Sequence, residues 1–259
     1  MYPTSLIELS LVLPSFLLVA TRVSGMMITA PLLGSAAIPA RLKAGIVLAI
    51  SVTLFPGIAP TLPAELSLSV VLPGLVGELM IGLIIGIGLS LILLAAQMTG
   101  MIVGQQAGLA LASAFDPATQ TRSSVIGQVY FLTATALFLL MDGHRAMVRA
   151  LMDSFQAVPV MTFNVQESTV TLISELMMSS LTLALRLAAP MVIALLLAKA
   201  GLGFLSRTMP QLHILSVGFA IFVGIGMLLS GWQIDNLYDV LWIHVDEAFD
   251  LINDLIGLQ

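Results

Sequence analysis

Two charged side chains, Glu78 and Arg186, lie deep inside long apolar runs, and in this sequence they are the first candidates for chemistry. A charge at the middle of a bilayer costs about 2.5–3.5 kcal/mol on insertion scales, so each must face protein or water. A functional reading makes them a proton relay or pore-lining residues. A structural reading makes them an ion pair, or charges near a helix end. With no transport-type repeat in the chain, the structural reading is favoured, and a direct Glu78–Arg186 contact is one form of it.

No catalytic constellation joins them. His144, His213 and His244 lie in different segments without metal-ligand spacing, and the chain has no cysteine, which leaves out thiolate metal sites and disulfides. No Gly-rich loop opens a helix in the phosphate-binding pattern, and no serine sits in a nucleophile elbow. The expectation is no enzyme, no cofactor and no metal. Nine basic residues scattered along the chain make no nucleic-acid surface, and the net charge of −5, which comes mostly from the C-terminus, says nothing about one.

Glycine spacing carries a different kind of information. Gly82-x-x-x-Gly86 and Gly100-x-x-x-Gly104-x-x-x-Gly108 place small residues on one helical face and permit close backbone approach. Gly104-Gln105-Gln106 followed by Gly108 and then Ala114–Pro117 is less ordinary. Adjacent glutamines at the end of an apolar run need partners, and irregular backbone at membrane depth is tolerated only against protein or a water-filled cavity. The segment is either a plain connecting loop or one that lies in a passage and closes it.

The elements that position these residues follow from composition. Apolar residues make up 59% of the 259-residue chain and charged residues 9%, against about 25% charged in a soluble domain. Mean hydropathy is +1.09. The fold class expected is all-α: an integral membrane protein of about six long apolar helices in hairpins, each crossing with about 20 residues, ended by an amphipathic helix. Unpaired backbone amides in lipid exclude an open sheet, and the lack of apolar–polar alternation excludes a barrel. Before its first apolar run the chain carries Glu8 where a cleaved signal would carry Lys or Arg, so the first helix is expected to remain.

Spans are read at Leu9–Ala30, interrupted by Pro14 and Arg22, and at Leu42–Leu54, closed by Pro56-Gly57. From Leu66 to Phe115 Glu78 is the only charge, too long a run for one span, and a break is expected in Thr99–Gly108. Val125–Met141, Leu176–Ala198 and Leu212–Trp232 follow, with Asp142–Glu175 the most polar stretch and Lys199–Gln211 a connection. Gln233–Gln259 has an apolar stripe through Leu237, Leu241, Val245 and Phe249 and reads as a separate amphipathic helix. Arg41, Lys43, Arg122, Lys199 and Arg207 then share one side and Arg145 and Arg149 the other, which puts the first side in the cytoplasm.

Over essentially its whole length the chain resembles a known family, the flagellar biosynthetic protein FliR and its virulence-secretion counterparts. The most specific piece is Gly201-Leu202-Gly203-Phe204-Leu205-Ser206-Arg207-Thr208-Met209-Pro210-Gln211-Leu212-His213-Ile214, similar to the family's Gly-x-x-x-Arg-x-x-Pro-Gln-x-Asn-x-Phe signature. His213 stands where Asn is usual and Leu215 where an aromatic is usual. Supporting pieces are Arg22-x-x-Gly25, Pro31-Leu32-Leu33-Gly34, Pro39-x-Arg41-x-Lys43, Glu78-x-x-x-Gly82-x-x-x-Gly86, Gln105-Gln106-x-Gly108 with Asp116-Pro117, and Asp142-Gly143-His144.

The resemblance implies a subunit of a type III secretion export gate. It implies a FliP-like part over 1–171, then a FliQ-like helical hairpin and the C-terminal helix over 172–259. The partners it implies are FliP-like and FliQ-like membrane subunits, FlhB, unfolded export substrates and membrane lipid, in the bacterial inner membrane at the flagellar basal body. It also implies that helices of the assembled gate need not be simple spans, and that the loop after the third span plugs the closed channel. On this chain that loop comprises Gly104, Gln105, Gln106, Gly108, Phe115, Asp116, Pro117 and Arg122. The equivalent injectisome subunit is one alternative; a small-solute transporter using Glu78 and Arg186 is another.

Overall fold

The computed structural model describes residues 3–31, 33–35, 38–58, 68–109, 124–162, 167–208 and 214–256. They include seven helices: α1 (Pro3–Thr29), α2 (Ala40–Ile58), α3 (Leu68–Gln106), α4 (Val125–Leu140), α5 (Gly143–Ala157), α6 (Glu167–Thr208) and α7 (Ile214–Ile256). Among the described residues there is no strand. The chain is all-helical, as its composition requires of a protein whose backbone must satisfy itself away from water.

Three helical segments are long and apolar enough to cross a membrane: Ala40–Ile58, Val71–Gln106 and Val170–Ser206. The pair α4 and α5 makes a fourth if taken as one broken span, and Leu13–Thr29 and Gly218–Ile234 are shorter apolar helices. Val71–Gln106 has 36 residues, which at 1.5 Å per residue is about 54 Å, well beyond the roughly 30 Å of a hydrocarbon core. Many large apolar side chains on these helices face outward, among them Leu140, Leu197, Phe204 and Leu228. Such a surface suits lipid or other subunits rather than water.

Helices run on where sequence patterning places interruptions. Pro14 and Arg22 both lie within an unbroken α1, and α3 continues through Gly100 and Gly104 to Gln106. The expected break in Thr99–Gly108 is thus only a turn at its far end, where Gly108 has a φ of 88°. Glycine lowers helix propensity in water, but here packing against a neighbouring helix outweighs that cost. Lys199, Gly201, Gly203 and Arg207 are helical parts of α6, not a connecting loop. The amphipathic C-terminal stretch is continuous with the last apolar span in α7, and on it Leu237 and Leu241 are buried, as the stripe predicts.

The chain divides into two compact units. The first comprises Met1–Leu91, Asp142–Leu176 and Val245–Gln259; its core is Leu18, Val23 and Met26 of α1, Ile85 and Leu89 of α3, and Leu151 of α5. Phe16 and Phe55 join α1 to α2 edge to face, with ring centroids 5.7 Å apart. The second comprises Ile92–Met141 and Met177–His244, with Tyr130, Leu183, Met191 and Leu195 enclosed.

Candidate functional site

Within the first unit, α1 and α3 cross where glycines leave no side chain between them. A Cβ on Gly25 would lie 2.5 Å from the Leu79 carbonyl oxygen, and one on Gly86 would meet the Met26 carbonyl at 2.7 Å. One on Gly82 would press on the backbone of Arg22 and Met26. The contacts advance together along both chains, so the two helices run in the same direction here. Thr29 adds a hydrogen bond from its hydroxyl to the Leu83 carbonyl at 3.1 Å.

That crossing brings Arg22, one turn before Gly25, level with Glu78, one turn before Gly82. Arg22 Nε donates to Glu78 Oε2 at 2.6 Å, with both side chains wholly buried. The guanidinium continues into the end of α5. Nη1 donates to the Ser154 carbonyl at 2.8 Å and the Ser154 hydroxyl at 3.2 Å, and Nη2 donates to the Val158 carbonyl at 3.0 Å. Its flat face lies over the Phe155 ring, 4.1 Å from the centroid. Glu78 Oε1 accepts the Met161 backbone N–H at 2.9 Å, and Met161 holds a φ of 70°, a left-handed conformation uncommon for a side chain of its kind.

A buried ion pair holds only when its remaining donors and acceptors are also satisfied. Here the fork geometry of arginine meets that condition using carbonyls presented at the C-terminal end of α5, of which Ser154 also accepts the Val158 N–H. The node ties together three segments separated by 56 and 132 residues. Being enclosed, it exchanges nothing with a substrate; its chemistry is positional, fixing α1, α3 and the turn after α5. The pairing of Glu78 with Arg186 is corrected by this geometry: the partner of Glu78 is Arg22. Arg186 is an exposed residue of α6 in the second unit.

In the second unit the far end of α3 is held differently. α3 and α4 run antiparallel, Gly100 lying against Gly127, where an added Cβ would stand 2.7 Å from the Gly127 Cα. Ser124 caps α4 and its hydroxyl donates to the Gly100 carbonyl at 3.4 Å. Gly104 leaves room for the same Ser124 side chain. Gln106, the last residue of α3, accepts at its Oε1 a hydrogen bond from Lys199 Nζ at 3.0 Å. Lys199 also sits over the Phe222 ring, 5.8 Å from its centroid. Thr99 donates to the Ala184 carbonyl at 3.2 Å, and Tyr130 reaches the Ser230 carbonyl at 3.4 Å.

Of the residues singled out from sequence, Gly104, Gln105, Gln106 and Gly108 close α3, with Gln105 exposed and Gln106 engaged by Lys199. Phe115, Asp116, Pro117 and Arg122 lie outside the described residues, as do Pro210, Gln211 and His213. Arg207 is placed in α6 by its backbone. Sequence reasoning missed Arg22 as the partner of Glu78, and Lys199 as the partner of Gln106. A signal for the first was present: each charge precedes, by one turn, a glycine able to make a close helix crossing.

The sequence matches the family described as "Bacterial export proteins, family 1" over residues 13–248. It is 30% identical over 238 residues to the flagellar biosynthetic protein FliR of Pectobacterium carotovorum subsp. carotovorum, covering 91% of this chain and 90% of that one. It is 28% identical over 239 residues to the FliR of Escherichia coli (strain K12), covering 91% and 90%. It is also 29% identical over 219 residues to the Yop proteins translocation protein T of Yersinia pestis, covering 84% and 82%. With nearly its entire length matched, its glycine crossing and buried charge included, the chain belongs to this family of bacterial export proteins.

Proposed function

We propose that this chain is a structural and gating subunit of the flagellar type III protein export gate, supplying part of the channel wall and a loop that closes it. The observation that carries the reading is its likeness to flagellar FliR proteins over 91% of its length. On this reading it acts in the bacterial inner membrane at the flagellar basal body, with FliP-like and FliQ-like subunits and FlhB. Residues 1–171 form the FliP-like part, and 172–259 the FliQ-like hairpin and C-terminal helix.

The closing loop runs from Gly104 to Arg122. Its near end suits that role: α3 delivers it from a helix end held by Gln106–Lys199 and by Ser124. Unfolded export substrates pass when the loop moves. The driving energy comes from elsewhere in the apparatus, since the chain carries no nucleotide-binding motif. Shortening Gly108–Thr119 is expected to leave assembly intact and make the closed gate conduct ions in planar bilayers; unaltered conductance would refute the plug assignment.

A second reading, the equivalent subunit of an injectisome, is favoured by the similarity to the Yersinia translocation protein. Native mass spectrometry of the complex purified in gentle detergent separates the two by the identity of the accompanying subunits.

A further inference from the structure

In the first unit a groove of about 360 Å³ lies between the end of α2 and α5. Leu54, Gly57 and Ile58 form one wall, and Val148, Met152 and Phe155 the other. The volume falls within the range of small-ligand sites, roughly 300–1,000 Å³. Gly57 lines the groove without a side chain, and an added Cβ there would stand in open space, with nothing within 4 Å. Phe155 gives one ring face to Arg22 and also lines the groove, so the groove wall is held by the buried node.

The helix forming that second wall is amphipathic. Met147, Ala150, Leu151 and Phe155 are buried, while Arg145, Arg149, Met152 and Gln156 recur at steps of four, three and four, which is one helical face. Two guanidinium groups therefore stand on the same face as the groove lining, with Arg149 about 4.5 Å along the axis from Met152. Arg145 is 69% exposed and touches Asp142 at 3.3 Å. Arg149 is exposed and has no acidic partner among the described residues. Both lie in the N-terminal half of α5, on the side where the helix dipole also favours an anion.

An apolar groove with cations at one end is complementary to a hydrocarbon chain carrying an anionic head. In a chain of membrane helices, an amphipathic helix with arginines on its polar face belongs at the headgroup boundary. We propose that the α2–α5 groove binds an acyl chain of an anionic phospholipid of the surrounding bilayer, with its phosphate on Arg149 and Arg145. A partner's helix is the poorer occupant, because it gives no reason for two cations at one end. The inference depends on the chain's place in a membrane and not on its role in export.

The test uses the protein purified in gentle detergent from its own cell, with whatever subunits accompany it. After delipidation, phosphatidylglycerol and phosphatidylcholine are titrated in turn, and retained lipid is counted by native mass spectrometry. Phosphatidylglycerol should be retained on the order of tenfold better, two surface arginines being involved. Arg145→Gln with Arg149→Gln, both exposed and harmless to packing, should abolish that preference. Gly57→Leu should reduce retention of both lipids by filling the groove. Equal retention of the two lipids by the parent protein would overturn the proposal, as would phosphatidylglycerol binding unchanged in both variants. So would a photo-crosslinking amino acid at position 152 that captures a protein subunit instead of phospholipid.

Discussion

The two ends of α3 solve the same problem in opposite ways. Near Glu78 the helix meets a parallel partner, α1, through a glycine crossing that carries a wholly buried ion pair. Near Gly100 it meets an antiparallel partner, α4, through another glycine crossing, where the described hydrogen bonds come from hydroxyls: Ser124 on the Gly100 carbonyl and, nearby, Thr99 on the Ala184 carbonyl. Small residues bring backbones together in both places. The charged crossing adds a demand, that a guanidinium and a carboxylate be fully partnered, and so pins one register far more strictly. The uncharged crossing tolerates small displacement at modest cost.

The largest effect expected is at the charged crossing. Arg22→Ala or Glu78→Ala leaves an uncompensated buried charge and should cost about 3–5 kcal/mol, seen as loss of folded protein or a collapsed melting temperature in detergent. Arg22→Met with Glu78→Leu should recover only part of that loss. It removes both charges but takes the partners of the Val158 carbonyl and the Met161 N–H away, each part-buried group left unpaired costing up to roughly 1–3 kcal/mol. Full recovery would show that the ion pair does not set the register, and the comparison would fail.

Next come the glycines. Gly82→Ala would drive a methyl into the Arg22 and Met26 backbone, and Gly100→Ala into the Gly127 and Ile126 backbone. Each should destabilise by about 1–3 kcal/mol, with Gly82→Ala the worse because any shift of α1 also stretches the Arg22 fork. Equal melting temperatures for the two variants would remove the distinction between strict and tolerant crossings. Tyr130→Phe in the second unit should cost only about 0.5 kcal/mol, the lower end for a hydrogen bond, since its bond to Ser230 is long at 3.4 Å. A change of comparable size but opposite sign is Gly201→Ala. Nothing lies within 4 Å of an added Cβ there, so the variant should be stabilised by roughly 0.5–1 kcal/mol through helix propensity alone.

Much of the fold was legible in the residues themselves. Charged residues at 9% and long apolar runs leave membrane helices as the fold consistent with the composition, and the Arg22, Glu78–Gly86 and Arg207–Gln211 patterns carry the family. Helix ends were less legible. Proline, glycine and charge interrupt helices in water, whereas Pro14, Gly100 and Lys199 sit inside continuous ones. Propensity is a weak local preference, and packing against a neighbour outweighs it.

The sequence by itself determined the class of solvent this protein lives in, because hydropathy is a sum over residues and needs no knowledge of neighbours. It also determined where close helix approach was permitted, because only glycine lacks the Cβ that prevents it. Tertiary structure alone decided which charge answers Glu78. That choice depends on the direction and register in which α1 crosses α3, 56 residues away in sequence, and on carbonyls presented at the end of α5. No local pattern encodes such a meeting, since an ion pair in an apolar interior forms only where the backbone has already brought every remaining partner within hydrogen-bond reach.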